Sequence, residues 1–178
     1  LGPEAAAKKV KEMGFESVEV LESTAPGHPT VIPDVDTARR VRQIFEAEGL
    51  HFACYSVGTN LYHAPENEAS LCRHAEIACA LGAPYLHHTS LPGLVLTEDS
   101  PAFEEAITVA ADAAARVANY AATLGLTCIY EDQGMYVNGI EGFGRFLAEM
   151  KKRCSNVGVC ADTGNIMFAD ETPAPFFE

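Results

Sequence analysis

The chain has 178 residues, 48% of them hydrophobic and 21% charged, which excludes wholesale disorder and suits one folded domain with a sizeable core. Twelve Lys and Arg stand against 25 Asp and Glu, a formal net charge of -13 that disfavours any nucleic-acid partner. No apolar run approaches the roughly 18 residues of a membrane span and no signal peptide is visible, so a cytoplasmic protein without a membrane partner is expected.

The elements follow a repeating order of helix, glycine and strand. Pro3 suits a first helical turn, and Ala6, Val10 and Met13 share a face until Gly14 ends the helix. A strand over 16–21 follows. Asp36 is read as the cap of the next helix, which buries Val41, Ile44 and Phe45 and stops at Gly49. A strand over 51–57 comes next. The third helix carries Leu71, Ala75, Ala78 and Leu81, ends at Gly82, and leads to a short strand over 85–89. In the fourth, Phe103, Ile107, Ala110, Ala114, Val117, Ala121 and Leu124 hold helical spacing up to Gly125, before a strand over 126–131. A last helix with Phe143, Phe146, Leu147 and Met150 precedes a strand over 157–161. The opening Leu1-Gly2-Pro3 lacks Met, and Pro175-Phe176-Phe177-Glu178 reads as the start of another helix. A fragment is expected.

The terminating glycines lie 35, 33 and 43 residues apart, room enough for one βα unit each. Strands separated by helices pair in parallel. No linker divides the chain, so residues 1–178 are read as a single α/β domain. An open doubly wound sheet and a (β/α)8 barrel both fit. Five strands would be an incomplete barrel, whereas the doubly wound reading lacks the glycine-rich nucleotide fingerprints. The six cysteines form no CxxC pair and are read as reduced thiols.

In parallel α/β folds ligands bind at the carboxyl ends of the strands. The polar residues there are Glu19 and Glu22; Tyr55 and Ser56; His87, His88 and Thr89; Glu131, Asp132 and Gln133; then Asp162 and Asn165. Alternation puts Thr127, Ile129 and Glu131 on one face, and Gly158, Cys160 and Asp162 on the corresponding face of the last strand. Glu131 and Asp162 thus reach one end and one side of the sheet. Adjacent strands lie about 4.8 Å apart, and two carboxylates that close repel unless a proton or cation intervenes. Oxygen ligands favour Mn2+ or Mg2+, with Co2+ or Zn2+ as alternatives. The competing reading makes Asp162 an Asx turn and Glu131 the start of a solvated loop. Of the adjacent histidines, only one can face inward. The six-residue offset from Gly82, matching that from Gly125 to Glu131, makes His88 the inward candidate, read as a substrate contact or else as a core histidine bonded to backbone. His28 and His63 read as surface residues, and His51 and His74 as structural ones. Asp162-Thr163-Gly164 also matches an aspartic-protease motif, but those all-β enzymes need two copies.

Three segments carry a resemblance. Met13-Gly14-Phe15-Glu16-Ser17-Val18-Glu19-Val20, Cys128 to Gly134 and Gly158 to Asn165 resemble the second, fifth and sixth strands of the xylose isomerase-like TIM barrel superfamily. The likeness spans nearly the whole chain and implies an incomplete barrel, without its first and last two strands. It implies one divalent metal held by Glu131 and Asp162, with a His and a second Glu expected beyond Glu178. It also implies Glu131 as an acid–base residue in a sugar or sugar-phosphate isomerase or epimerase working through an enediolate. Asn165 and Glu19 stand at substrate-contacting positions. Asn165 and Gln133 occupy places where a His is frequent, and with the acidic balance this disfavours the endonuclease branch. A dehydratase shares the site chemistry. The alternative from another class is a non-catalytic sugar-binding module or inactive fragment. A sugar partner and a homo-oligomer are expected.

Overall fold

The computed structural model describes residues 2–177; Leu1 and Glu178, at the two ends noted above, lie outside the described residues. Helix α1 (Pro3–Glu12) leads to β1 (Ser17–Ser23), α2 (Val35–Ala47) to β2 (His51–Gly58), and α3 (Pro65–Leu81) to β3 (Tyr85–His88). Then α4 (Phe103–Thr123) precedes β4 (Thr127–Glu131), and α5 (Gly139–Lys151) precedes β5 (Gly158–Cys160). Two single-turn helices follow, α6 (Asn165–Phe168) and α7 (Pro173–Phe176). The glycines that end the first four helices all adopt positive φ, 72° to 86°. The second helix begins earlier than the sequence suggests. Asp34, not Asp36, is its cap and accepts from Thr37 N at 2.6 Å, while Asp36 sits in the first turn and pairs with Arg39.

The strands are parallel and lie in the order β1-β2-β3-β4-β5. That order decides between the two architectures. A doubly wound sheet reverses its strand order at a switch point, whereas here each strand is laid beside its predecessor. Right-handed crossovers then put every connecting helix on one face. Consecutive helices accordingly pack on each other, α1 on α2 through to α4 on α5. The result is part of a (β/α)8 barrel wall, open because, among the described residues, β1 and β5 are each bonded on one side only. Among the described residues no helix is long and apolar enough to cross a membrane.

The core lies between the sheet and its helices. Tyr55, Leu86, Cys128 and Tyr130 point into it from the strands, against Leu71, Ile107, Phe146 and Met150. Alanines along α4 (Ala110, Ala114, Ala118, Ala121) are fully buried and let that helix lie close to its neighbours. The outer face of β5 departs from this pattern. Val159 is 52% exposed, and the α6 that follows β5 is a single turn.

Asn156 joins α4 to β4. Its Nδ2 donates to Ala118 O at 2.8 Å and Leu126 O at 3.0 Å, and its Oδ1 accepts from Cys128 N. Asn156→Ala removes all three bonds and is expected to lower stability by about 2 kcal/mol, measured by urea unfolding.

Candidate functional site

The face of the sheet opposite the helices carries the small and polar side chains, and at the carboxyl ends of the strands it forms a cleft of about 520 Å³. Each strand or the loop leaving it contributes one chemically useful group: Glu19, Ser56, His87, Glu131 and Asp162 in order. Pairing of Ile129 with Gly158 and of Glu131 with Cys160 brings the last two together.

Glu131 is partly buried. Burial first, and the adjacent Asp162 carboxylate second, push its pKa up to about 7, with Asp132 and Glu19 adding to the effect. Its Oε1 accepts from Asn165 Nδ2 at 2.9 Å. Asp162 is held the opposite way. Its Oδ1 accepts from Asn165 N at 3.1 Å and Gly164 N at 2.6 Å, and these amides keep its carboxyl below the usual range. The Asx turn and the convergence on Glu131, alternatives in the sequence, thus coexist. Asp132, fully buried, accepts from Asp162 N through Oδ1 at 2.8 Å and so fixes the end of β5. No pattern in the sequence reveals that role, because it depends on which neighbour the buried carboxylate meets.

Glu19 faces the cleft from β1 and accepts from Ser56 Oγ. Ser56 Oγ also lies 3.1 Å from His87 Nδ1, and His87 Nε2 lies 3.4 Å from Glu131 Oε2. Burial holds the His87 pKa below the ordinary imidazole value, against the raising effect of Glu19. Glu22 lies away from the cleft. It is buried and accepts from Val31 N and Ile32 N, tying down the loop after β1.

His88 is a correction: it points into the core, 1% exposed, with Nδ1 on Thr89 O and its ring edge-to-face with Tyr130. The error is one of register. Two residues separate Gly82 from Tyr85, where β3 begins, but only one separates Gly125 from Thr127, where β4 begins, and a slip of one residue exchanges the faces of a strand. His87, level with Ile129, is the histidine in the cleft. The extra residue, Pro84, was the available signal.

Burial drives the His88 pKa down to about 4. The unfolded chain takes up a proton near pH 6.5 that the native state refuses until about 4. The His88 contribution is therefore complete above 6.5 and is lost as pH falls towards 4, by about 3 kcal/mol in all. Glu131 acts with the opposite sign between 4.5 and about 7, since its native pKa is raised. Comparing urea unfolding of the protein with that of His88→Gln across this range isolates the histidine, and the variant should lack the acid-side loss.

Two carboxylates this close, one of which raises the proton affinity of the other, suit a divalent cation, which would remove the repulsion. Among the described residues no group of three or more His, Cys, Asp or Glu side chains has a metal-holding arrangement, so the fit is to half a shell.

Solved structures share the fold. A D-psicose 3-epimerase is 14% identical with a TM-score of 0.73, the match covering 97% of this chain and 62% of that one. A D-allulose 3-epimerase from Methylomonas sp. is 18% identical (TM-score 0.74; 98% and 62% covered). A sugar phosphate isomerase/epimerase from Parabacteroides distasonis ATCC 8503 is 12% identical (TM-score 0.70; 98% and 64% covered). The chain spans about three-fifths of the length of these proteins. No curated protein matches it in sequence. The family profile described as "Xylose isomerase-like TIM barrel" matches residues 7–177, nearly the full strand-and-helix series built above, and the chain belongs to that family.

Proposed function

We propose that this chain carries the acid–base half of a divalent-metal-dependent sugar isomerase or epimerase. The observation behind the reading is the convergence of Glu131 and Asp162 at the carboxyl ends of adjacent strands, one acid poised near neutrality and the other kept ionised. Structural likeness to sugar epimerases and isomerases supports the substrate class.

Glu131 is the group that moves protons. With a pKa of about 7 it can take one from the carbon beside a sugar carbonyl and return it later. Loss of that proton leaves the substrate as an enediolate. Return of the proton by Glu131 to the neighbouring carbon gives an isomer, whereas an epimer needs a second acid on the opposite face to protonate the same carbon. Asn165 fixes the carboxylate through Oε1, and Asp132 fixes Asp162 through its amide. Glu131 and Asp162 would hold a divalent cation, Mn2+ or Mg2+ before Co2+ or Zn2+, which when bound supplies positive charge beside the developing negative charge.

Two measurements test this. The intact protein incubated with Mn2+ and a ketose in D2O should place deuterium on the carbon next to the carbonyl; sugar binding without exchange would instead support a non-catalytic module. In calorimetric titration with Mn2+, Asp162→Asn should weaken binding by at least about 10–100-fold, the loss that follows removal of a ligand's mere support. Unchanged affinity would confine Asp162 to shaping its turn.

A further inference from the structure

A second cavity, of about 510 Å³, lies beside the cleft. Gln133 lines both hollows, and Asn165, which donates to Glu131 Oε1 at 2.9 Å, lines the second. A single layer of side chains therefore separates this cavity from the group that moves protons. The two differ in chemistry. The cleft is edged by Glu19, Glu131 and Asp162, whereas no described residue lining the second cavity is charged, in a chain of net charge -13. Its apolar walls include Leu94, Met135 and Phe168, which are 75%, 50% and 88% exposed, and its polar side chains are amides. Exposed apolar residues gathered around one hollow mark a binding surface, where scattered ones would not.

The walls are held in place before anything binds. Gly134 has a φ of 83° and lies so close to the loop after β3 that a Cβ there would collide with Leu91 O. Met135 N donates to Gly93 O at 2.9 Å, which holds the stretch carrying Leu94 against the loop after β4. Asn138 Nδ2 donates to Asn165 O at 2.9 Å and ties that same loop to α6. Three segments bonded to one another make a pre-formed cavity, so little binding energy is lost in ordering it.

We propose that this cavity receives an uncharged, apolar arm of the substrate, an alkyl or aryl group carried on a sugar whose carbonyl end lies in the cleft. This rests on the isomerase reading and adds the substrate class to it. A charged arm would lose water there and find no opposite charge in the walls. A bare ketohexose would leave Leu94, Met135 and Phe168 wet, whereas an arm the size of a phenyl ring takes them out of water.

The test compares D-fructose, 6-O-benzyl-D-fructose and isomaltulose, which carries a glucosyl arm on the same oxygen, by calorimetric titration of the intact protein with Mn2+ present. The benzyl sugar should bind at least about tenfold more tightly than D-fructose, and isomaltulose should show no such gain. With 13C-labelled methionine methyls, the benzyl ring protons should give nuclear Overhauser contacts to Met135. Leu94→Ser and Phe168→Ser should each bring the ratio of benzyl-sugar to D-fructose affinity close to 1, with the fold intact by circular dichroism. Equal affinity for the benzyl sugar and D-fructose overturns the proposal. So does an equal gain with isomaltulose, the absence of a contact to Met135, or a smaller assembly in sedimentation of Phe168→Ser, which would mean that a second copy of the chain covers the cavity. Tight benzyl-sugar binding at Met135 without deuterium exchange would keep the cavity's role and defeat the isomerase reading. Exchange on D-fructose with no benzyl gain would do the reverse.

Discussion

Turnover in the intact protein should fall about 10²–10⁴-fold when Glu131 is replaced by Gln, with the fold retained. The amide keeps the size of the side chain, and its carbonyl oxygen can still accept from Asn165 Nδ2. What it loses is the ability to take a proton and return it. The same substitution removes a charge that Asp162 and Glu19 oppose, so its stability should be equal or slightly higher at alkaline pH, where Glu131 would otherwise be ionised. Steady-state kinetics with a panel of ketoses, circular dichroism and urea unfolding at pH 8.5 separate the two effects. Undiminished turnover would remove Glu131 from the chemistry.

Phe146→Ala should produce the largest loss of stability, about 3–5 kcal/mol. Phe146 is fully buried on α5 and meets Tyr130 edge-to-face at 5.4 Å, and Tyr130 meets His88 in the same manner at 5.0 Å. Removing the first ring deletes its own contacts and opens a cavity beside the second. Water entering that cavity would also ease protonation of His88, bringing its native pKa nearer the unfolded value, so the acid-side loss should be smaller than in the parent protein. Urea midpoints at pH 7 and pH 5 measure both parts. A loss under 1 kcal/mol at pH 7 would mean that the layer collapses and refills the space.

The order of the elements was legible because two periodicities and a recurring glycine mark them independently. Apolar residues at helical spacing on α4 and alternation on β4 leave little choice of face, and the face of Glu131 follows from Tyr130 being bulky and apolar on the other side. The partner of Glu131 could be inferred for the same reason. The face of the β3 histidines could not, because two adjacent identical residues offer no contrast and the answer turns on one added proline in a tight connection. Ser56 was visible only as a polar residue at a strand end. Its importance comes from lying between Glu19 and His87, which are 37 and 31 positions away along the chain. Choosing Asp34 over Asp36 as the cap was likewise beyond periodicity, since both are acidic and both precede the apolar stripe.

Those long separations have a kinetic corollary. The line from Glu19 through Ser56 to His87 closes only after three ribbons, far apart in the chain, are stacked in correct alignment, and the approach to Glu131 needs a fourth. No local segment can make it alone. The close contact of the His87 ring with Ser56 should therefore be among the last signals to mature during refolding, arriving after helical ellipticity has recovered. It should be among the first to blur when either outer ribbon loosens.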